Sequence, residues 1–174
     1  MIIVNQTNMS LCVSLSAVML IGLVGCGGEK KPDGFPPIYP VTVRVTQEGK
    51  PLEGASVALT APDGSVPWVV GGTTDASGNV KLRTHGKYEG APAGKYNVQV
   101  SKVIYEGRDE YLDAMNRNDT AAAQNIDVKV FQYVEDAYTS AKDTPLRVEI
   151  TKETKLFEVD SGPAVKLQKP FMKW

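Results

Sequence analysis

The sequence predicts an all-β domain, a sandwich or closed barrel, carried behind an apolar leader and a tether. Three observations point there. Short runs of valine, leucine and threonine alternate with polar residues at the two-residue period of a strand. Glycine- and proline-containing turn signals separate these runs at intervals of about ten residues. Strands and helices do not alternate in the manner that a parallel sheet requires.

At 174 residues the chain has room for one domain plus appendages. Lysine and arginine total 19 against 20 for aspartate and glutamate, so no cationic excess faces a phosphate backbone, and nucleic acid is excluded as a partner class. The two cysteines, Cys12 and Cys26, lie in or beside the N-terminal apolar stretch, which leaves the domain no thiol for a disulfide. A single histidine, His85, builds neither a histidine-rich metal site nor a cysteine–histidine pair with a domain thiol, and it reads as a surface or turn residue. No cofactor is expected.

From Leu11 to Val24 the chain is apolar and uncharged, and shorter than the roughly 20 residues of a spanning helix. It has the length of a signal-peptide core. The run ends in Leu23-Val24-Gly25-Cys26, which resembles the lipobox of bacterial lipoproteins: two aliphatic residues, a small one, then cysteine. That resemblance implies cleavage before Cys26, with Gly25 leaving room for the peptidase, and attachment of acyl chains such as palmitate through the Cys26 thiol. The membrane lipid is then the first partner. Residues 1–10 depart from the signal pattern in having no lysine or arginine. The resemblance assigns no role to Cys12. Gly27 stands where lipoproteins kept at the inner membrane tend to carry aspartate, which favours the outer membrane, at its periplasmic or surface face. Residues 1–25 are thus expected to be the signal peptide. Residues 26–40, with four prolines and no periodic apolar pattern, are expected to be a lipidated tether of about 45 Å at full extension.

The domain is expected over 41–168. Val41, Val43 and Val45 alternate with polar residues as a first strand, and Val57 and Leu59 form a second, closed by the turn Pro62-Asp63-Gly64. Trp68-Val69-Val70 reads as a short strand. The turn 75–79 precedes another strand with Val80 and Leu82. Tyr96, Val98 and Val100 make the clearest inward face, with Asn97 and Gln99 expected outside. Three segments, Val45 to Val57, Thr73 to Gly78 and Ala93 to Val100, together resemble the carboxypeptidase regulatory-like domain. The resemblance implies an Ig-like, transthyretin-like β-sandwich of about seven strands, completed by strands near 146–150 and 155–159. The run from Tyr138 to Ile150 resembles a recurring ending of small bacterial lipoproteins that carry this domain.

Residues 103–137 interrupt that pattern as an insertion with a short helix. Asp109 is the expected helix cap, Leu112 and Met115 its apolar face, and Ile126, Val128 and Val130 a following strand. Residues 169–174 read as a tail.

The sequence offers three candidate chemistries. Asp75, Ser77 and Asn79 alternate around a turn and offer oxygens to calcium, but without the twelve-residue loop and terminal glutamate of an EF-hand, so a plain turn is the better reading. Glu106, Asp109, Glu110 and Asp113 form an acidic cluster that reads as a solvated face before it reads as an acid–base pair. Hydroxyisourate hydrolases share the transthyretin-like fold, but their sites need more than one histidine and a different C-terminal tail. The expectation is a noncatalytic envelope module, not an enzyme, binding an envelope protein or glycan or playing a structural part. The alternatives are a hydrolase using the insertion's carboxylates and an accessory subunit of an envelope enzyme or transporter.

Overall fold

A computed structural model describes residues 31–64 and 67–172, and the chain divides into two units, Met1–Phe35 and Pro36–Trp174. In the first, the Phe35 amide donates to Pro32 O at 3.1 Å and the Lys31 ammonium lies 5.6 Å from the Phe35 ring centre. The expected signal peptide over 1–25, Cys26 and the first part of the expected tether lie outside the described residues.

The second unit contains, in chain order, β1 (Ile38–Tyr39), β2 (Thr42–Gln47), β3 (Lys50–Pro51), β4 (Ser56–Thr60), β5 (Val70–Thr73), β6 (Asn79–Lys81), β7 (Arg83–Thr84), β8 (Tyr88–Glu89), β9 (Ala91–Pro92), β10 (Gly94–Ser101) and β11 (Val103–Glu106). It continues with α1 (Arg108–Asn116), α2 (Thr120–Asn125), β12 (Lys129–Gln132), α3 (Asp136–Thr139), β13 (Arg147–Ile150), β14 (Leu156–Asp160) and β15 (Leu167–Lys169). The architecture is an all-β, sandwich-like fold with a small helical insertion.

One main sheet runs β13-β10-β4-β5-β7-β8 with every neighbour antiparallel. The other is built around β2, flanked by β14 on one side and by β3 and β6 on the other. Alternation decides which faces meet. Val43 and Val45 from β2, Val57 and Leu59 from β4, and Tyr96, Val98 and Val100 from β10 all belong to one buried cluster, with Val70, Val80, Leu82, Ile150 and Val159 filling the space between. Each fully buried valine or leucine contributes about 1.5–3 kcal/mol over its exposed state, so this interface dominates the stability of the unit. Register follows from the pattern: Val98 faces Leu59 and Val100 faces Val57 across β10 and β4.

Two features of the main sheets differ from the sequence expectation. The β2–β14 pair is parallel, from Thr42 against Leu156 to Thr46 against Asp160. Asn97, expected outside, is buried at 7 % exposure because the chain after α3 crosses the outer face of β10. Its Nδ2 donates to Ala141 O at 2.7 Å, and Thr144 Oγ1 donates to Val98 O at 2.7 Å. Gln99 stays more exposed than the buried Val98 and Val100 on either side, as expected, and its Nε2 donates to Thr60 Oγ1. A strand has two faces, and period-two alternation reports only the one against the main core.

Other boundaries shift for similar reasons. The end of the expected tether is strand β1, paired with β9 through Ile38–Pro92 and Tyr39–Ala91. The strand expected at 68–70 begins only at Val70; Val69 is 69 % exposed, and β5 continues through Gly71 and Gly72 beside β4. The strand expected from Ile126 starts at Lys129, since Ile126 is the residue that ends α2. Residues 167–169, split between domain and tail by the sequence, form one strand against β12.

Candidate functional site

At the insertion, β11 and β12 join β15 in a three-stranded sheet beside α1 and α2. Gly107 starts α1 with φ 76°, a left-handed conformation suited to glycine, and a Cβ there would lie 2.9 Å from Asp127 O. Asp109 is not the cap: no side chain caps this helix, and Asp109 and Glu110 sit in its first turn, where the helix dipole favours negative charge. The buried face carries Tyr111 and Ala114; Leu112 is 41 % exposed and Met115 half-buried. The offset is one residue from the expected face, enough to exchange a leucine for a tyrosine. Asn118 at φ 57° breaks the helical run, and Asp119 restarts it by accepting from the Ala122 amide at 3.0 Å.

Tyr111, Ala114, Ala123 and Val128 form a second apolar cluster, closed by Phe171, whose ring meets Tyr111 edge-on at 5.6 Å. Above it is a cavity of about 280 Å³ lined by Tyr105, Arg108, Tyr111, Leu112 and Phe171. The Arg108 guanidinium lies 4.7 Å from the Tyr105 ring centre. Aromatic faces beside a guanidinium suit a flat apolar or anionic group. Sequence reasoning missed this cavity, because its walls come from β11, α1 and the segment assigned to a tail.

A second unforeseen constellation fastens the insertion. Asp136 accepts from Lys169 Nζ at 2.9 and 3.0 Å and from Gln132 Nε2 at 2.7 Å, and these bonds, foremost that from Lys169, hold its carboxyl below the ordinary aspartate value.

Of the sequence candidates, Glu106, Asp109, Glu110 and Asp113 are all exposed, and Asp109 is 3.6 Å from Arg108. Asp75 Oδ1 accepts from the Ser77 and Asn79 amides at 2.8 and 2.9 Å, the self-satisfied arrangement of an Asx turn. Gly78, at φ 75°, completes that turn, and a Cβ there would lie 2.5 Å from Val45 O. Asp75, Arg44, Lys81 and Lys155 border an open cleft of about 510 Å³, with Arg44 turned to Glu158 at 3.3 Å. His85 sits at φ 56° and meets Trp68 edge-on at 5.1 Å, while its amide donates to Val69 O.

The buried threonine hydroxyls are committed to the backbone, Thr74 to Leu52 O, Thr84 to Gly90 O and Thr144 to Val98 O. Tyr96 Oη donates to Pro92 O at 2.8 Å, and burial pushes its pKa up to about 12. Among the described residues no three His, Cys, Asp or Glu side chains gather as metal ligands. Cys26, the predicted lipid attachment point, lies outside the described residues. No protein-family model, no curated protein and no solved structure matches the chain.

Proposed function

We propose that this chain is a lipid-anchored lipoprotein of the bacterial cell envelope, whose transthyretin-like sandwich of the carboxypeptidase regulatory-like kind acts as a noncatalytic binding or structural module. The observation that carries the reading is Leu23-Val24-Gly25-Cys26 at the end of an uncharged apolar run, followed by a proline-rich segment before the first strand of the sandwich. A thiol placed there is the nucleophile for a diacylglyceryl group, and Gly25 leaves space for cleavage on its C-terminal side. The membrane is the first partner. An envelope protein or glycan is the second, and the insertion's exposed surface offers it the aromatic-and-arginine cavity. Spread-out, solvated carboxylates on α1 support a binding role over hydrolysis.

Two or three acyl chains, each buried methylene contributing about 0.8 kcal/mol, hold far more firmly than a single myristoyl chain. Cys26→Ser keeps the size and polarity of the position but removes the thiol. Labelling cells with a fatty-acid analogue, followed by detergent phase separation, is expected to show label and detergent partitioning for the wild type, and an unlabelled, uncut precursor for Cys26→Ser. Label on the mutant, or an aqueous wild type processed elsewhere, refutes the anchor. Turnover of envelope peptides or glycans that is abolished by neutralising Asp109, Glu110 and Asp113 with the fold intact refutes the noncatalytic role.

A further inference from the structure

The insertion leaves a bare apolar strand edge between two uncompensated charges. β11 ends the three-stranded sheet, and among the described residues no strand pairs with its outer edge. Val103, Ile104 and Tyr105 are 40, 41 and 43 % exposed in consecutive positions. Edges of this kind are ordinarily protected by charge, proline or a bulge, because their free N–H and C=O groups template pairing with another chain. Here charge stands only at the two ends, Lys102 before the strand and Glu106 at its last position. Neither makes a salt bridge among the described residues, and Lys129, which faces Glu106 across the sheet, lies instead 3.6 Å from Asp127.

The backbone sets which residues can pair outward. The Tyr133 amide donates to Lys102 O at 2.8 Å, so Lys102 turns its carbonyl toward β12. Hydrogen-bonded positions alternate along an antiparallel pair, so Ile104 and Glu106 also turn their polar backbone groups inward. Val103 and Tyr105 turn theirs outward.

We propose that β11 pairs antiparallel with β11 of a second copy of this chain, about a two-fold axis through Ile104. In that register Val103 exchanges backbone hydrogen bonds with Tyr105 of the partner subunit, and Tyr105 with the partner's Val103. Outward groups meet outward groups at both positions. Ile104 meets its own copy at the close, non-hydrogen-bonded position, and Lys102 faces Glu106 of the partner subunit at both ends. Sliding by one residue sets outward groups against inward ones. Sliding by two in either direction places Ile104 opposite Lys102 or Glu106 and breaks the charge match. The edge is therefore self-complementary in one register, as a two-fold interface requires. Leu112, exposed in the cavity that Tyr105 also lines, extends the apolar surface.

Oxidative cross-linking of the protein in its membrane tests the pairing, with the wild type setting the background for cross-links that need no introduced cysteine. Directly opposed residues at such a position have Cα atoms about 4.5 Å apart, within disulfide range. Ile104→Cys is expected to yield a dimer above background. Val103→Cys, facing the partner's Tyr105, is expected to yield none, whereas Val103→Cys with Tyr105→Cys in one chain restores it. Lys102→Glu in the Ile104→Cys chain sets like charges opposite each other at both ends and is expected to weaken dimerisation on the order of ten-fold. Adding Glu106→Lys to that chain restores the original yield. Equal yields from Ile104→Cys and Val103→Cys, no dimer from any variant, or a failed charge swap overturns the proposal; capture of a different protein by Ile104→Cys without self-pairing does so too.

Discussion

Asp160 shows how one carboxylate at a strand end ties three segments together. Its Oδ2 accepts from Thr46 Oγ1 at 2.8 Å and from the Gly49 amide at 3.1 Å, and its Oδ1 from the Gly162 amide at 2.9 Å. Burial raises its pKa, but these bonds outweigh that effect and hold the carboxyl below the ordinary value. The folded pKa is thus depressed, so the stabilisation is present above the unfolded value and is lost as pH falls through the folded one. Asp160→Asn is expected to lower stability by about 1 kcal/mol at neutral pH, a figure already reduced for solvent exposure, with the gap to wild type closing below a pH of about 4. Urea midpoints at both pH values check it; a gap that widens in acid contradicts it. At Val98, wholly buried between the sheets, aspartate would introduce an unpaired charge. Val98→Asp is expected to cost more than about 4 kcal/mol and to drop Tm by roughly 10 °C or more. A near-unchanged melting curve means the face is misassigned.

At the scale of elements, legibility followed the distance over which the causes act. Strands β2, β4 and β10 were readable because side chains two apart share one core face. The buried side of Asn97 was not readable, since the segment covering it joins through Ala141, 44 residues away in the chain. The same holds for the aromatic cavity, whose wall Phe171 belongs to a stretch with no pattern of its own. Phe171 contributes to the small cluster and not to the main core. Phe171→Ala is therefore expected to destabilise the insertion by roughly 3 kcal/mol locally, read as faster amide exchange in α1 and α2 while β4 and β10 keep their protection. Equal loss of protection in β10 shows that the insertion and the sandwich open as one.

For the molecule as a whole, the all-β class was legible, while the pairing of distant strands was not. Alternation in β14 says that Val159 points inward but carries no information about its neighbour. The parallel β2–β14 pairing joins positions such as Arg44 and Glu158, 114 residues apart. This places a condition on the order of events in folding. The first long strand waits for one of the last before its sheet is complete, and closing so long a loop costs entropy before any contact repays it. A ribosome-bound chain that stops short of Leu156 has β4, β5 and β10 in hand but leaves one side of β2 unpaired. The sandwich is consequently expected to close late, and the chain to stay open to chaperones and proteases until β14 is available.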